Sequence, residues 1–512
     1  MTVAIHATPS ATAALNGETA LLADLKARLM EIEDLGSSAS LLGWDEAVFM
    51  PSAGARVRAG LAALTHQKAT DPALGRLLDR LAAFAGSLPE DSPESELQGG
   101  TSIRQPAFQP NMSPGQASNG SASYNVWVGA RPANDFAATM PYLETTLELS
   151  REFAEFFAGY EHVMDPLIGP DEGFTASEIA ALFAALQAEL RPLVNAIAEK
   201  PVVCDRCLHQ TFPPAQQLAF ATKIAVDFGY DLKRGRIDLS PHPFCTVFAR
   251  DDVRITTRVK ENDLSDALFS VLHEVGHALY EMGIAAELEG TPIGHGASPG
   301  VHESQSRLWE NIIGRSLPFW EHYYPLLQSL FPDQLGHIEL DTFYRAINKV
   351  ERTLIRTDAD EITYNLHVMI RFDLERAMLE GKLAVRDLQD AWNARYETDL
   401  GITPPNDTNG VMQDVHWYGG GIGGSFQAYT IGNILSAQFY EVAVAAKPGI
   451  VPDIAKGEFD ELRGWLGGHL HRHGRQFTGP VIAQQVLGAR ISLEPYIRYL
   501  KQKYGALYGL VL

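Results

Sequence analysis

The sequence is poor in cysteine, in basic charge and in long apolar runs. It has 3 cysteines in 512 residues, which is too few for a disulfide scaffold and typical of a reducing compartment. Its 41 basic residues are outnumbered by 63 acidic ones, for a formal net charge of −22. This charge argues against binding to nucleic acid or to anionic membranes. The chain also has no apolar run of about 18 residues or more, so we expect no membrane span.

Targeting and repeat signals are also absent. Residues Met1–Gly17 contain no basic segment followed by an apolar one, so we predict no signal peptide and a cytoplasmic location. No internal repeat of about 20–50 residues exists, which argues against solenoids and propellers. We expect one domain over residues 1–512. Residues 1–19 are predicted to be a flexible tail, and residues 94–123, rich in Gly, Ser, Pro, Gln and Asn, a loop or disordered segment.

Apolar residues at three- and four-residue spacing predict a mainly helical fold. The clearest helices are Ala20–Ile32, Glu144–Phe157, Ala176–Glu199, Leu264–Met282, Ile362–Leu379 and Ile431–Ala446. Strand signals are sparse. The β-branched segment Val253–Val259 alternates in polarity, and Phe244–Phe248 precedes it, so we predict a small β-hairpin just before the helix Leu264–Met282. As a further hypothesis, Val253–Val259 offers a strand edge to a substrate peptide.

The segment Val271–Glu281 reads V-L-H-E-V-G-H-A-L-Y-E. His273 and His277 are four residues apart, so on a helix they share one face and can bind a single zinc ion. Glu274 is rotated by about 100° from His273. There it can reach the attacking water instead of the metal, as a general base must. Gly276 costs about 1 kcal/mol relative to Ala in a helix, and we predict that another backbone passes close to it.

A catalytic zinc site has three protein ligands and an open position, so a third ligand is needed. The metzincin spacing fails, because the chain lacks the required Gly and His after the second histidine. A carboxylate from a second helix is the remaining common arrangement, and the candidates by proximity are Glu303, His302, His295 and Glu281. Glu281 lies one helical turn beyond His277, so we expect it to support a ligand. Spacing alone favours Glu303 only modestly over His302.

Several motifs, in order along the chain, resemble the carboxypeptidase Taq family of metallocarboxypeptidases. They are Trp44-Asp45, Met50-Pro51, His242-Pro243-Phe244, Asp252 to Thr256 (D-V-R-I-T), His273 to His277, His302 to Gln305 (H-E-S-Q), Ile355-Arg356, Ala359-Asp360, Gly410 and Gln413 to Trp417 (Q-D-V-H-W). Together they cover nearly the whole chain. Residues 97–123 and the cluster Gly419–Gly424 depart from the family pattern.

The resemblance implies a large helical, zincin-like peptidase that encloses a deep groove and commonly forms a homodimer. The small β-sheet would lie next to the HExxH helix. The resemblance also implies that Glu303 is the third zinc ligand, beside His273 and His277. Glu274 would be the base and the proton shuttle.

A carboxypeptidase also needs a fixed cation for the terminal carboxylate of its substrate. Arginine is suited to this task, because its planar fork binds a carboxylate through two hydrogen bonds; the candidates in the sequence are Arg254, Arg258 and Arg356. The resemblance favours Arg356, and we predict Arg254 and Gln413 as further substrate-binding residues. By the same likeness, His416 and Tyr429 would donate hydrogen bonds to the tetrahedral oxyanion.

The implied activity is removal of single C-terminal residues from peptides, with broad preference and poor action on proline. The alternative is an endo-acting zinc oligopeptidase, because the same chemistry cleaves internal bonds. A catalytically silent peptide- or metal-binding protein is a third reading. Loss of Glu274 or of a ligand would mark it, and neither is lost. Cobalt could replace zinc, since similar nitrogen and oxygen ligands serve both ions.

Two other patterns could indicate a second metal site. Cys204 and Cys207 form a CxxC pair, but the sequence has no second such pair, so we expect ordinary thiols. The alternating His469, His471 and His473 are expected to be an exposed polar helix end.

Overall fold

The computed structural model describes residues 11–49, 55–85, 113–169 and 172–511. Within these ranges the chain is mainly helical with one small β-sheet, which confirms the predicted fold class. The helices are α1 (Ala11–Val48), α2 (Ala55–Ala69), α3 (Pro72–Ala85), α4 (Ser113–Ala133), α5 (Phe136–Glu155), α6 (Asp165–Ile168), α7 (Ala176–Ala198), α8 (Pro214–Asp227), α9 (Leu264–Met282), α10 (Pro299–Arg307), α11 (Leu317–Leu330), α12 (Pro332–Leu335), α13 (Leu340–Ile347), α14 (Thr363–Leu379), α15 (Leu388–Leu400), α16 (His416–Gly419), α17 (Gln427–Ala446), α18 (Ile450–Ile454), α19 (Asp460–His469), α20 (Gly479–Leu487) and α21 (Glu494–Tyr508).

Short 3-10 turns connect some of these helices, and a π-helical segment, Leu308–Ile313, follows α10 directly. The turns are Arg206–Leu208, Ala286–Leu288, Arg356–Asp358, Val385–Asp387 and His471–His473. Of the family motifs, Met50-Pro51 lies outside the described residues.

The helix that carries the HExxH motif has the predicted bounds, Leu264–Met282. Asp263 begins it, because its side chain accepts a hydrogen bond from the backbone N–H of Ser265 at 3.0 Å and so satisfies a free amide of the first turn. A capping box of Thr175 and Glu178 likewise begins α7. Local sequence signals therefore define the ends of these helices.

Two helices begin inside segments that we predicted to be irregular. Helix α1 starts at Ala11, within the predicted tail 1–19, in a sequence of Ala and Leu residues that favour helix. Helix α4 starts at Ser113, within the predicted loop 94–123, and packs on α5, where Asn119 donates a hydrogen bond to Thr146 Oγ1 at 2.8 Å. Residues 11–19 and 113–123 are thus helical, contrary to the prediction. Residues 1–10 and 94–112 lie outside the described ranges.

The sheet has three short strands, β1 (Ile237–Leu239), β2 (Cys245–Ala249) and β3 (Asp252–Thr257), in the order β1-β3-β2. Strands β2 and β3 pair antiparallel, which confirms the hairpin, while β1 pairs parallel with β3 and was not predicted. Because β3 is the central strand, the hypothesis that it offers an edge to a substrate is wrong. The edges of the sheet are β1 and β2.

Two clusters of buried apolar side chains hold the described residues together. The larger surrounds α9 and includes Val271, Leu272 and Val275. The smaller joins α1 and α3 to the segment that follows α9, and consists of Leu25, Leu29, Leu74, Leu77, Leu78, Leu81, Ile284, Leu288 and Ile293. Among the helices of the described ranges, none combines the length and the apolar character that a membrane span requires.

Candidate active site

Helix α10 is fixed between two glycines on neighbouring helices. On one side, a Cβ atom added to Gly276 of α9 would lie 2.5 Å from the carbonyl oxygen of Gln305 and 2.6 Å from Cα of Ser306. This confirms that another backbone passes close to Gly276. On the other side, a Cβ atom on Gly432 of α17 would lie 2.7 Å from Cβ of Glu303. The absence of side chains therefore allows α10 to lie close to both neighbours.

This packing brings together His273, His277 and Glu303. Among the described residues, they are the only group of three or more His, Cys, Asp or Glu side chains that could hold a metal ion. One ligand atom of each lies within 4.8 Å of the others. Glu303 Oε2 is 3.8 Å from His273 Nε2 and 3.6 Å from His277 Nε2. Two imidazoles and one carboxylate are a ligand set of catalytic zinc sites.

Glu310 and Arg307 orient this group from one side. Glu310 Oε2 is 2.9 Å from His273 Nδ1, and Arg307 donates hydrogen bonds to Glu303 Oε1 at 2.6 Å and to Glu310 Oε2 at 3.1 Å. Burial alone would raise the pKa of Glu310, but Arg307 and His273 lower it to about 2. An ionised Glu310 favours the His273 tautomer whose free Nε2 lone pair can bind a metal. We missed both residues in the sequence, although they follow Glu303 by four and seven positions, a helical spacing.

His302 and Glu281 orient the second imidazole. His302 Nδ1 is 2.6 Å from His277 Nδ1, and His302 Nε2 is 2.8 Å from Glu281 Oε1. The same Glu281 oxygen accepts a hydrogen bond from the backbone N–H of Gly296 at 2.9 Å. His302 thus contacts a candidate ligand, and Glu281 supports that contact, as its position on α9 suggested.

Glu274 is a buried carboxyl group next to the first histidine. Its burial raises its pKa to about 7, against the opposing effect of His273. A group that titrates near neutral pH can both accept and release a proton during a reaction. Glu274 is therefore the candidate general base of this site.

A second charged cluster contains the Q-D-V-H-W motif and lies between α14 and α17. Arg356 donates from Nε to Asp414 Oδ2 at 2.7 Å and from Nη1 to the hydroxyl of Tyr364 at 2.8 Å. Arg371 Nη2 is 3.3 Å from the same Asp414 oxygen. Burial alone would raise the pKa of Asp414, but the neighbouring Arg371, His416 and Arg356 hold it well below its usual range. Asp414 is therefore a carboxylate between two buried arginines.

Asp414 also orients His416. Its Oδ1 atom is in hydrogen-bond contact with His416 Nδ1, and His416 Nε2 is 3.2 Å from the hydroxyl of Tyr429. Tyr429 precedes Gly432 on α17 by three residues, so both lie on the helix face that packs against α10. The predicted oxyanion donors therefore lie together, on the side of α10 where Glu303 is found.

Tyr364 joins the two clusters. The Arg307 guanidinium lies over its ring at 4.5 Å from the centroid, and its hydroxyl accepts the hydrogen bond from Arg356. Its ring is also in edge contact with that of Tyr429, at a centroid distance of 6.2 Å. The metal-ligand group and the Asp414 cluster are therefore neighbours.

Two predicted substrate-binding residues are engaged by protein groups. Gln413 accepts a hydrogen bond from the backbone N–H of Arg356 at 2.9 Å and donates to the carbonyl oxygen of Leu354 at 2.8 Å. Both ends of the guanidinium fork of Arg254 donate to Asp252, at 2.7 Å each. Direct contact of either residue with a substrate stays a prediction.

The patterns considered for a second metal site do not form one among the described residues, where one candidate group exists. Cys204 is exposed and Cys207 is buried. His471 is buried and lies 2.8 Å from Gln305 Oε1, so our expectation of an exposed helix end is wrong for this residue.

The arrangement defines a class of protein. Two histidines one turn apart, a carboxylate from the next helix and a buried glutamate beside the first histidine are the parts of an HExxH metallopeptidase. The sequence model of the Carboxypeptidase Taq (M32) metallopeptidase family matches residues 24–504. The chain belongs to this family, and it is a metallocarboxypeptidase, a hydrolase that releases C-terminal residues from peptides.

Individual relatives agree with this membership. The chain is 38% identical to Thermostable carboxypeptidase 1 of Thermus thermophilus over 496 residues, which cover 93% of this chain and 96% of the relative. It is similar to the crystal structure of the M32 carboxypeptidase from Deinococcus radiodurans R1, with a TM-score of 0.90 and 47% identity over 96% of this chain and 100% of that one. Metallocarboxypeptidase 1 of Trypanosoma cruzi has a TM-score of 0.89 and 28% identity, over 94% and 99% of the two chains.

Proposed function

We propose that this chain is a zinc carboxypeptidase that removes single C-terminal residues with broad preference and poor action on proline. The observation that carries the proposal is the adjacency of the metal-ligand group and the Asp414 cluster, joined by Tyr364. A metal beside a buried arginine places the bond to be cleaved next to a binding site for the terminal carboxylate.

The donor set fits zinc. Glu310 and His302 contact the Nδ1 atoms of the two histidines, which leaves both Nε2 atoms available as ligands, and Glu303 adds a carboxylate. Cobalt fits the same set. When bound, such an ion polarises the scissile carbonyl group and lowers the pKa of water.

Glu274 takes a proton from the attacking water and delivers it to the nitrogen of the leaving amino acid. Its burial supports this role, because a raised pKa suits a group that must accept and then release a proton. Tyr429 and His416 donate hydrogen bonds to the oxygen that becomes negative. Asp414 keeps the imidazole of His416 in place for that task.

Arg356 binds the terminal carboxylate of the substrate. Together with Arg371 it gives the Asp414 cluster more positive than negative charge, so that an added carboxylate completes the charge balance. We propose that Gln413 acts through Arg356, because it holds the backbone N–H of that residue. Arg254 is kept as a more distant substrate contact, on strand β3.

Two peptides that differ only in a free or amidated C-terminus test the function. Mass spectrometry should show stepwise loss of C-terminal residues from the first and none from the second, and a chelator should stop the reaction. Internal cleavage of the amidated peptide would instead favour the endo-acting oligopeptidase. A series that varies the last residue should show broad preference and a slow proline member.

We also propose a homodimer in the cytoplasm. The dimer follows from the family resemblance, and the free cysteines Cys204, Cys207 and Cys245 accord with a reducing compartment. Size-exclusion chromatography with light scattering should give twice the chain mass of 56.1 kDa. A monomer at all concentrations would contradict the first part, and secretion of the protein would contradict the second.

A further inference from the structure

A chain of polar contacts leads from the metal ligand His277 to the N-terminal helix α1. Its first two contacts join His277 Nδ1 to His302 Nδ1 at 2.6 Å and His302 Nε2 to Glu281 Oε1 at 2.8 Å. The other carboxylate oxygen of Glu281 lies 4.0 Å from His295 Nδ1. His295 Nε2 then lies 3.1 Å from Glu33 Oε2 on α1. Four contacts thus connect a candidate metal ligand with a helix far away in the sequence.

Each contact of the inner part fixes the next one. To bind a metal through Nε2, His277 must carry its proton on Nδ1. His302 can accept that hydrogen bond only if its own proton is on Nε2, and that N–H donates to Glu281. Glu281 is 5% exposed, and in such a buried environment hydrogen bonds in a chain strengthen one another. Removal of one member therefore affects the orientation of His277.

The outer part of the chain depends on the position of α1. Leu25 and Leu29 of this helix pack on Ile284, Leu288 and Ile293, in the segment that leads to His295. The hydrogen bond that His295 donates to Glu33 raises the pKa of His295, against the effect of burial. The imidazolium form of His295 can attract the carboxylates of both Glu33 and Glu281. The seating of α1 and the position of His295 are therefore linked.

We propose that His302 and Glu281 are positioning residues for the metal ligand His277, and that His295 and Glu33 couple the seating of α1 to the affinity for the metal. This inference rests on the metal site proposed above. Such coupling is reciprocal: seated α1 strengthens metal binding, and bound metal stabilises α1 in its place.

The inner part is tested by the dissociation constant for Zn²⁺, measured with the full chain by competition with a chromophoric chelator. His302→Leu removes the acceptor for His277 and should weaken binding by about 10–100-fold. His302→Asn keeps an acceptor near the same place and should restore part of the affinity. Circular dichroism verifies that each variant is folded. Equal dissociation constants in all three folded proteins would refute the positioning role.

The outer part has a matched control on the same helix. Glu33→Ala should weaken Zn²⁺ binding by about fivefold. Glu31→Ala removes the same charge two residues away, from a side chain that pairs with Lys68 at 2.6 Å, and should change nothing. In a protein that already carries His302→Leu, Glu33→Ala should add no further loss, because the chain is already interrupted. Equal effects of the two glutamate variants, or additive effects in the double variant, would overturn the coupling.

Hydrogen exchange gives a readout that is independent of affinity. Amides around Glu33 in α1 should exchange more slowly with Zn²⁺ than without it, in the unsubstituted protein and in Glu31→Ala but not in Glu33→Ala. If the unsubstituted chain binds no Zn²⁺, or if Glu303→Ala leaves binding unchanged, the metal site itself is wrong and both proposals fall. If the metal site behaves as expected but the exchange rates of the α1 amides do not change with Zn²⁺, only the coupling proposal is refuted.

Discussion

Two buried charged clusters share the candidate active site and differ in the groups that they offer to a ligand. The metal-ligand group offers one acceptor atom from each of His273, His277 and Glu303, within 4.8 Å of one another, and Arg307 and Arg315 lie against the carboxylates of Glu303 and Glu310. The Asp414 cluster sets one carboxylate between two arginines, Arg356 and Arg371. Buried excess charge is costly until an opposite charge completes it. The first cluster is therefore suited to a divalent cation and the second to an anion, and we propose that their adjacency directs cleavage to the end of a peptide.

The largest expected effect concerns Glu274, next to the metal-ligand group. Glu274→Gln removes the proposed general base but no candidate metal ligand, so kcat should fall by about 10⁴-fold. Metal analysis of the purified variant should still show one Zn²⁺ per chain. Residual activity close to that of the unsubstituted enzyme would mean that another group takes the proton.

The next test asks whether Glu303 belongs to the cation site itself. Glu303→Ala should weaken Zn²⁺ binding by about 10³-fold, because it removes one of three ligands. His302→Ala removes an orienting partner, for which a loss of about 10–100-fold is typical. Chelator competition ranks the two variants. A larger loss in His302→Ala would reverse our choice of the third ligand.

The anion site is tested by Arg356→Ala. We expect kcat/KM on peptides with a free C-terminus to fall by about 10²-fold, since a buried partner of the substrate carboxylate is lost. The Zn²⁺ content should not change, which would separate the two clusters. Arg254→Ala is the control, because Arg254 pairs with Asp252 on strand β3 and not with the Asp414 cluster, and its effect should be far smaller. Equal effects of both substitutions would argue against Arg356 as the anchor.

The smallest effect concerns the charge behind the anion site. Glu375 lies one turn after Arg371, and its carboxylate accepts a hydrogen bond from Trp417 Nε1 at 2.6 Å. Burial raises its pKa from 4.5 to about 7. Below pH 7 the carboxyl group is therefore neutral in the folded protein, and the Asp414 cluster keeps its excess positive charge.

This pKa gives a defined dependence of stability on pH. Between the unfolded and folded pKa values the folded state binds more protons, so the stabilising contribution of the protonated group is lost as the pH rises through about 7. From pH 6 to pH 8 the unsubstituted protein should lose about 1 kcal/mol of stability relative to Glu375→Gln. Denaturant unfolding of both proteins at the two pH values measures this difference. No difference would mean that Glu375 is ionised throughout.

The comparison also shows what the sequence could predict. The metal-ligand group could be predicted from the sequence. Two of its residues lie on one long helix with a periodic apolar pattern and a capping aspartate, and the third lies on the helix that follows. His273, His277 and Glu303 converge as the motifs indicated. The hairpin β2–β3 could also be predicted, because its two strands are adjacent in the sequence.

The Asp414 cluster was harder to predict. Arg371 belongs to none of the sequence motifs. It contacts Asp414 only because α14 packs against the loop that contains Q-D-V-H-W. Gln413 looked like a substrate contact, but its amide is used within the protein. Strand β1 is three residues long and pairs in parallel with a strand further along the chain, so no local periodicity reveals it. Helix α4 forms from Gly- and Ser-rich sequence through tertiary contacts that override weak propensity.

The two glycines that flank α10 carry no chemistry, yet they limit how this enzyme can change. A methyl group on Gly276 or Gly432 would collide with α10 and displace the carboxylate of Glu303, which this helix carries. Variants selected for a new peptide preference should therefore keep both positions unsubstituted, even though both glycines are buried.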